Sequence, residues 1–417
     1  MKRLNNIYEK IYDMNNLILA DKKASKGKSN QTGVIEHNKN KEQNLLLLQQ
    51  MLKNKTYKTS DYKIFKVFEP KERDVYRLPY FPDRIAHHAI MNILEKIFVS
   101  VFIKDSYSSI KKRGIHGAAN IVKKFLKDKV NTKYCLKLDI KKFYPSINND
   151  ILKELLKKKF KDKDLLWLLY EIIDSVEGVP IGNYLSQYFA NFYLTYFDHW
   201  LKEDKKIKYY VRYADDIVIL AKTKEELHIL FNEIKNYLEN NLKLKIKENY
   251  QIFPVESRGI DFVGYKFYHT HILLRKNIKK NLIKMLLRNN NDKSMSSYNG
   301  WLKYCDSKNL VKKLIKMNNF KDFNIEPIKN GFIGDKIHIL RLLNKEIKVC
   351  DYKLTDSKIF VDKGTGKCLQ LQIIVDDEYR VLFTSSAGMI YAIKKIPKEN
   401  FPFSTTIIEN DKRYFFS

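Results

Sequence analysis

Three aspartates lie where a carboxylate could do chemistry. Asp139 closes an alternating, strand-like run, and Asp215 and Asp216 are adjacent at the junction of two apolar runs. Adjacent carboxylates in a buried hairpin repel one another unless a cation lies between them. Carboxylates that bridge two metal ions about 3.5–4 Å apart are what a two-metal phosphoryl transfer requires. An Asp-Asp turn in an ordinary hairpin is the alternative interpretation of the dipeptide alone.

The elements that must position these aspartates can be predicted from the periodicity of the sequence. Alternating apolar residues predict a strand over 132–140, and two strands, 209–215 and 216–221, that meet in a tight turn at the aspartate pair. Helical periodicity is found at 85–102, 149–160, 165–176, 185–201 and 225–240, and a second hairpin is expected over 260–268 and 271–275. After a very basic helical region over 276–316, short strands are expected at 358–362, 369–376, 380–384, 405–409 and 413–416. This mixture predicts an α+β fold.

The charge of the chain indicates its partner. Of 417 residues, 78 are Lys or Arg and 48 are Asp or Glu, which gives a formal net charge of +30. Because each neutralised phosphate releases counterions, such an excess favours a nucleic-acid partner over a basic surface that only confers solubility. Residues 335–417 contain 14 basic and 11 acidic residues, so +27 of the total falls on the first 334 residues. The polyanion is therefore expected mainly against the N-terminal three quarters.

Simple features exclude several other classes of protein. A hydrophobic content of 44% and an aromatic content of 13% argue against disorder. Cys135, Cys305, Cys350 and Cys368 show neither zinc-ligand spacing nor a disulfide pattern, which is typical of reduced thiols. No apolar leader follows Met1, and no segment approaches 18 uninterrupted apolar residues. We therefore expect a soluble, cytoplasmic protein with no membrane partner.

Six short motifs follow one another along the chain. They are Lys71-Glu72-Arg73 with Leu78–Ile85, Asp105–Gly117, Asp139–Tyr144, Gly178–Gln187, Tyr213–Asp216 and Gly259–Tyr265. In this order they resemble the fingers, palm and primer-grip motifs of reverse transcriptases, with fingers and palm similar to those of group II introns and bacterial retroelements. The resemblance covers roughly residues 20–315. It implies an RNA-directed DNA polymerase, a nucleotidyltransferase that adds dNTPs to a primer.

The resemblance assigns the catalytic and metal-binding roles. It implies that Asp139, Asp215 and Asp216 are the catalytic residues and hold two Mg²⁺ ions, for which Mn²⁺ could substitute. The carbonyl of Ile140 would complete one coordination shell. Lys247 is a candidate general acid for protonating pyrophosphate, although segment 244–250 departs from the family's pattern.

Further residues are expected around the incoming dNTP. Tyr144 falls where the family places an aromatic steric gate against the ribose 2′-hydroxyl; a buried aromatic with no such role is the alternative. Arg73, together with Lys71, is expected to contact the triphosphate, because a guanidinium binds phosphate oxygens bidentately. Gly182 would let the backbone approach the nucleotide. The resemblance places the primer grip at four consecutive residues, Phe262, Val263, Gly264 and Tyr265.

Ile181 departs from the commonest reverse transcriptase pattern, in which Gln precedes this glycine. The chain reads Ile-Gly-Asn-Tyr-Leu-Ser-Gln over 181–187, and this pattern, with Ser297–Tyr304, resembles reverse transcriptases of diversity-generating retroelements. Those enzymes copy a template RNA with errors at adenines. A Gln amide can hydrogen-bond near the nascent base pair, whereas a β-branched apolar side chain offers only packing and could tolerate mispairs. Defence-associated reverse transcriptases also vary at this position.

The implied architecture is a right-hand polymerase with fingers and palm over 1–275, a helical thumb over 276–330 and a β-rich accessory domain over 331–417. Implied partners are template RNA, the RNA/DNA hybrid, dNTPs, a structured template or non-coding RNA and an accessory protein, in a bacterial or phage-encoded setting. Aromatic residues of the last domain fit either core packing or base stacking. Two alternatives stay open. One is a defence-associated or group II intron-like enzyme acting with a non-coding RNA; the other is a non-catalytic RNA-binding protein.

Overall fold

Two units make up the chain, Met1–Ile315 and Lys316–Ser417. The structure, a computed structural model, describes residues 3–68, 72–287, 292–310, 332–357, 365–411 and 413–417. Among these residues no helix is long and apolar enough to cross a membrane. All four cysteines are free thiols.

The first unit contains ten strands and fifteen helices among its described residues. The strands are β1 (Lys63–Val67), β2 (Arg73–Arg77), β3 (Ser106–Tyr107), β4 (Tyr134–Asp139), β5 (Tyr210–Tyr213), β6 (Asp216–Ala221), β7 (Gln251–Pro254), β8 (Ile260–Phe262), β9 (Tyr265–Phe267) and β10 (Ile272–Leu274). The first helices are α1 (Tyr8–Tyr12), α2 (Met14–Ser25), α3 (Thr32–Lys39), α4 (Lys41–Lys53), α5 (Ile85–Val101), α6 (Ile115–Phe125), α7 (Phe143–Ser146) and α8 (Asn149–Lys159). They are followed by α9 (Lys163–Ile173), α10 (Tyr184–Tyr193), α11 (Thr195–His199), α12 (Lys224–Leu242), α13 (Val255–Arg258), α14 (Lys276–Leu287) and α15 (Asp292–Leu302).

A five-stranded sheet with the order β3-β5-β6-β4-β7 forms the palm. Because side chains alternate along a strand, β4 sends Leu136 and Leu138 to one face and Cys135 and Asp139 to the other. The first face packs in the main hydrophobic core, which also contains buried residues of α5, α8, α9, α10 and α12. The second face packs with α6 and the strands β8–β10 in a separate core. Asp139 therefore lies on the face that also carries the β8–β10 sheet.

Two smaller sheets flank the palm sheet. The antiparallel hairpin β1-β2 projects from the fingers, where Ile64 and Phe65 are exposed. Strands β8, β9 and β10 form a three-stranded antiparallel sheet, and α14 and α15 follow it. Trp301 of α15 packs against the hydrophobic core of the β8–β10 sheet.

The described residues of the second unit form a six-stranded sheet and one α-helix. Its strands are β11 (Asp335–Ile337), β12 (Glu346–Asp356), β13 (Lys367–Val375), β14 (Glu378–Thr384), β15 (Phe403–Asn410) and β16 (Arg413–Phe416), in the order β11-β14-β13-β12-β15-β16. The helix α16 (Ala387–Lys395) buries Met389, Ile390 and Ile393 against Leu371 and Leu382 of the sheet.

The α+β fold and the β-rich C-terminal domain are confirmed, and most predicted elements are found with shifts of a few residues at their ends. The helix predicted over 185–201 is interrupted at Leu194, between α10 and α11. Strand β12 escaped prediction because charged residues break its apolar alternation. The predicted domain boundary near residue 330, the strand over 358–362 and part of the predicted thumb lie outside the described residues.

Candidate active site

Asp139 and Asp216 lie directly opposite each other on neighbouring strands. The antiparallel register of β4 and β6 pairs them, and the hairpin of β5 and β6 pairs Tyr213 with Asp216. Ala214 and Asp215 are the two residues of the hairpin turn. The strand register thus brings together two predicted carboxylates that are 77 residues apart in the sequence, with the third in the adjoining turn.

Ala214 gives the turn its shape. Its φ of 54° is in the left-handed region, which a non-glycine residue adopts at a cost of roughly 1–2 kcal/mol. The Arg212 guanidinium donates from Nη1 to the Ala214 carbonyl at 2.9 Å, and the Ala214 N–H donates to the Tyr107 carbonyl at 3.4 Å. These two bonds hold the backbone immediately before Asp215.

Two carboxylates of the site have raised pKa values because they are buried and close to other charges. Burial, and then hydrogen bonding with and repulsion from Asp139, raises the pKa of Asp215 to about 7. Burial raises the pKa of Asp216 to about 6, against the opposing positive charge of Lys137. The Lys137 ammonium lies 3.6 Å from Asp216 Oδ1. Negative charge here is therefore costly unless a cation compensates for it.

The donor set fits divalent metal ions with oxygen ligands. Among the described residues, Asp139 Oδ1 and Asp216 Oδ1 are both buried without a hydrogen-bond partner, so each carboxylate has an oxygen that could coordinate a metal. Carboxylate oxygens are the ligands that Mg²⁺ prefers. Within the described residues no three acidic, histidine or cysteine side chains already converge as a metal-binding group. A metal would therefore have to draw the Asp139, Asp215 and Asp216 carboxylates together.

Lys247 lies beside the first of these carboxylates. Segment 245–247 pairs with the chain that leaves β4: Lys141 N–H donates to the Lys245 carbonyl, and Lys247 N–H donates to the Asp139 carbonyl, both at 2.8 Å. The Lys247 ammonium is 2.7 Å from Asp139 Oδ2. Ile140 is fully buried and pairs with Ile246 across this edge. Lys247 is thus hydrogen-bonded to one predicted metal ligand, as Lys137 is paired at a longer distance with another.

The predicted nucleotide-binding residues lie on a loop held between the palm and the fingers. Val179 N–H donates to the Tyr144 carbonyl at 3.0 Å, and Tyr76 N–H of β2 donates to the Ile181 carbonyl at 2.8 Å. Gly182, with a φ of +123°, lies so close to β2 that an added Cβ would meet the Tyr76 carbonyl oxygen at 2.6 Å. The structure therefore brings Tyr144, Ile181 and Gly182 into one neighbourhood. Burial, and then the negative charge of Asp215, raises the pKa of Tyr144 to about 12.

Arg73, a predicted triphosphate ligand, lies further out. Arg73 is exposed at the start of β2, three residues or about 10 Å of strand away from Tyr76. In the described part of the chain, no hydrogen bond or ion pair joins Arg73 to the three carboxylates. Lys71 lies outside the described residues.

The predicted primer grip forms a tight hairpin against the thumb. Phe262 pairs with Tyr265, and the turn residues Val263 and Gly264 both have positive φ, 42° and 89°. A side chain at Gly264 would collide with the indole of Trp301, so glycine is required there. The Tyr265 hydroxyl lies 3.2 Å from the Trp301 carbonyl.

Sequence analysis missed the polar residues buried beneath the catalytic turn. Arg212 and Asp198 are both fully buried and form an ion pair at 2.6 Å. Arg212 also donates to Asn191 Oδ1 at 3.2 Å and Ser106 Oγ at 3.0 Å. The sequence did contain one indication of this cluster, an arginine inside an apolar strand two residues before the turn. Its partners could not be predicted, because they come from elements that are distant in the sequence.

Comparisons with known proteins agree with this geometry. The family model described as reverse transcriptase (RNA-dependent DNA polymerase) matches residues 69–267, a range that contains every predicted catalytic residue. Residues 69–267 are therefore similar to a reverse transcriptase domain. A second family model, described as a domain of unknown function (DUF8468), matches residues 333–417.

This part of the chain is also similar to individual proteins. It is 25% identical over 249 residues to protein YkfC of Escherichia coli, covering 48% of this chain and 65% of that protein. It is 24% identical over 261 residues to the group II intron-encoded protein LtrA of Lactococcus lactis, covering 45% of this chain and 43% of LtrA. It is 27% identical over 226 residues to the retron Ec73 reverse transcriptase of Escherichia coli, covering 48% and 70%. The chain thus spans less than two thirds of YkfC and LtrA.

Among solved structures, apo telomerase from Candida tropicalis matches with a TM-score of 0.40 and 14% identity, over 51% of this chain and 48% of that one. Telomerase from Candida albicans in complex with a telomeric RNA fragment matches with a TM-score of 0.41 and 13% identity, over 57% and 52%.

Proposed function

We propose that this chain is an RNA-directed DNA polymerase that extends a primer with dNTPs by two-metal phosphoryl transfer. The observation that carries the proposal is the pairing of Asp139 with Asp216 across the palm sheet, with Asp215 in the adjoining turn. The match of the surrounding domain to reverse transcriptases supports it. Template RNA, the RNA/DNA hybrid and dNTPs are the substrates that this activity implies.

Asp139, Asp215 and Asp216 would hold two Mg²⁺ ions, or Mn²⁺ in their place, and the Ile140 carbonyl would complete one coordination shell. Bound ions would lower the pKa of the primer 3′-hydroxyl and neutralise charge on the triphosphate and on pyrophosphate. The Lys247 side chain, whose Nζ lies 2.7 Å from Asp139 Oδ2, would serve as the general acid for departing pyrophosphate. The primer-grip turn Val263-Gly264, packed on Trp301, would hold the primer terminus.

Two residues would select the nucleotide. The Tyr144 ring, next to Asp215, would exclude a ribose 2′-hydroxyl. Gly182 lets the loop lie directly against β2, so that the backbone can approach the base pair. Arg73, with Lys71, would reach the triphosphate when the β1-β2 hairpin folds over it.

We infer a diversity-generating role from Ile181, whose side chain cannot hydrogen-bond to the nascent base pair and would let mispairs at template adenine persist. A structured template RNA and an accessory protein would then be its partners. A second candidate is an enzyme that acts with its own non-coding RNA, as in retrons, group II introns or antiviral defence. The similarity to the retron Ec73 reverse transcriptase and to LtrA favours that candidate.

The deciding experiment is primer extension on a defined RNA template with dNTPs and Mg²⁺, followed by sequencing of the products. We expect DNA from the parent chain and none from Asp215→Asn, which should keep its affinity for RNA because only metal binding is lost. Asp164→Asn, which removes a half-exposed carboxylate of α9, is the matched control and should extend normally. Synthesis by Asp215→Asn at the parental rate would refute the metal assignment.

A further inference from the structure

The sheet of the second unit has one face packed and one face with exposed aromatic rings. Helix α16 covers the first face, where Leu371 and Leu382 are buried. Alternation along β14 places Tyr379 and Phe383 on the other face, where they are 48% and 40% exposed. Two large rings left in solvent on the same face of one strand need a reason, because burying them would stabilise the fold.

The strand register aligns each ring with a lysine. Tyr379 of β14 pairs with Ile374 of β13, which in turn pairs with Lys348 of β12. In the same way, Phe383 of β14 pairs with Gln370 of β13, which pairs with Lys353 of β12. Each lysine is two strands away from its ring, a distance of about 10 Å. A nucleotide stacked on the ring could therefore place its phosphate within reach of the lysine side chain.

A third lysine and an apolar bridge complete the face. The Lys336 ammonium lies 4.9 Å from the centre of the Phe383 ring. Between the two rings, Ile333 is held over the sheet by the Gln372 amide, which bonds the Ile333 N–H at 2.5 Å and carbonyl at 2.7 Å. The Ile333 side chain is 59% exposed, so the rings and this aliphatic group form one apolar strip.

Positive charge on this face is left uncompensated. Lys336, Lys348 and Lys353 have no ion pair among the residues that the structure describes, whereas Asp351, the acid in the row between the two rings, bonds Lys398 at 2.7 Å. The second acid of the face, Glu346, lies towards β15. An apolar strip bordered by free lysines matches a ligand with flat apolar groups and regularly spaced negative charge.

We propose that this face binds single-stranded RNA, with bases stacked on Tyr379 and Phe383 and phosphates contacting Lys336, Lys348 and Lys353. The rings are four residues apart on one strand, about 13 Å, which leaves room for unstacked nucleotides against Ile333. Stacking on aromatic rings tolerates any base sequence, so this site would hold RNA without reading it. This binding is separate from the polymerase site and does not depend on catalysis.

The test uses the full chain and a short single-stranded RNA that carries 4-thiouridine, with photo-crosslinked peptides identified by mass spectrometry. We expect crosslinks within residues 378–384, in addition to those in the reverse transcriptase domain. Tyr379→Ala with Phe383→Ala should abolish these crosslinks and weaken binding at this site at least tenfold. Lys348→Ala with Lys353→Ala should reduce the salt dependence of the same crosslinks.

Tyr391→Ala is the matched control. Tyr391 is 65% exposed on α16, also has a lysine over its ring, Lys395 at 4.3 Å, and lies on the helical side of the sheet. Its loss should leave the crosslinks unchanged. The proposal is overturned if no crosslink maps to 378–384 while the polymerase domain is labelled. It is equally overturned if the Tyr379 and Phe383 substitutions alter self-association in sedimentation and leave RNA crosslinking at the parental level.

Discussion

Arg212 and Asp198 form an ion pair that solvent does not reach. Arg212 Nε donates to Asp198 Oδ1 at 2.8 Å and Nη2 donates to Oδ2 at 2.6 Å, while the Tyr210 hydroxyl donates to Oδ1. The remaining donors of the guanidinium bind Asn191, Ser106 and the Ala214 carbonyl. The pair therefore fixes one end of the turn that presents Asp215.

We predict that Arg212→Lys slows polymerisation about 100-fold, because an ammonium keeps the charge but cannot bind both Asp198 and the Ala214 carbonyl. The Mg²⁺ concentration for half-maximal rate should rise, and kcat should fall more than KM for dNTP rises. Steady-state extension at varied Mg²⁺ measures both.

Lys41→Arg supplies the control for that variant. Lys41 pairs at 2.6 Å with Asp21, which is also buried, but in the N-terminal helices away from the turn. Both variants should lose some thermal stability, and only Arg212→Lys should change the Mg²⁺ dependence. If the Mg²⁺ dependence of Arg212→Lys were unchanged, Arg212 would contribute to the stability of the core only.

Tyr144→Ala should admit ribonucleotides. If the ring excludes the 2′-hydroxyl, its removal should raise the efficiency of rNTP relative to dNTP at least tenfold, corresponding to more than about 1.4 kcal/mol of discrimination. Tyr144→Phe keeps the ring without the hydroxyl and should retain parental selection. Equal rNTP use by the parent and Tyr144→Ala would show that Tyr144 does not exclude the 2′-hydroxyl.

Ile181→Gln should lower misincorporation opposite template adenine severalfold, because the amide can hydrogen-bond where isoleucine only packs. Ile181→Val, which stays β-branched and apolar, should keep the parental error spectrum. Deep sequencing of cDNA made on one RNA template compares the three proteins. An identical spectrum in the Gln variant would contradict the link between Ile181 and errors at adenine.

The stability of the fingers should depend on pH through His87. Burial and the nearby charge of Arg84 lower the pKa of His87 from its ordinary value of 6.5 to about 4. The unfolded chain therefore takes up a proton between pH 6.5 and 4 that the folded chain does not, so the free energy of unfolding falls as pH falls through this window. At pH 5 the loss from this group is about 2 kcal/mol.

Urea unfolding of the parent and of His87→Gln at pH 7.5 and pH 5 measures this effect. The variant should lose less stability on acidification than the parent, whatever its stability at pH 7.5. His228→Gln, at an exposed position of α12, should lose as much stability between pH 7.5 and pH 5 as the parent does. Equal pH sensitivity in all three proteins would exclude His87 as the source.

Local patterns predicted the strands that carry Asp139, Asp215 and Asp216, because alternation and the turn between 213 and 216 involve neighbouring residues only. The contact between Lys247 and Asp139 could not be predicted in that way, because it depends on the pairing of 245–247 with 139–141. The same holds for Arg212, whose ligands come from β3, α10 and α11. Sequence motifs predicted the candidate carboxylates, and the supporting contacts required the three-dimensional register.

The hydrogen bond from Tyr76 to Ile181, with the close approach of Gly182 to the Tyr76 carbonyl, joins the fingers hairpin to the palm loop through backbone atoms alone. A shift of β2 is consequently passed on to residue 181 whatever side chain that residue carries. We infer that copying accuracy in the proposed polymerase would then depend on the fingers as much as on the palm, and that it could be tuned from positions that never meet the template.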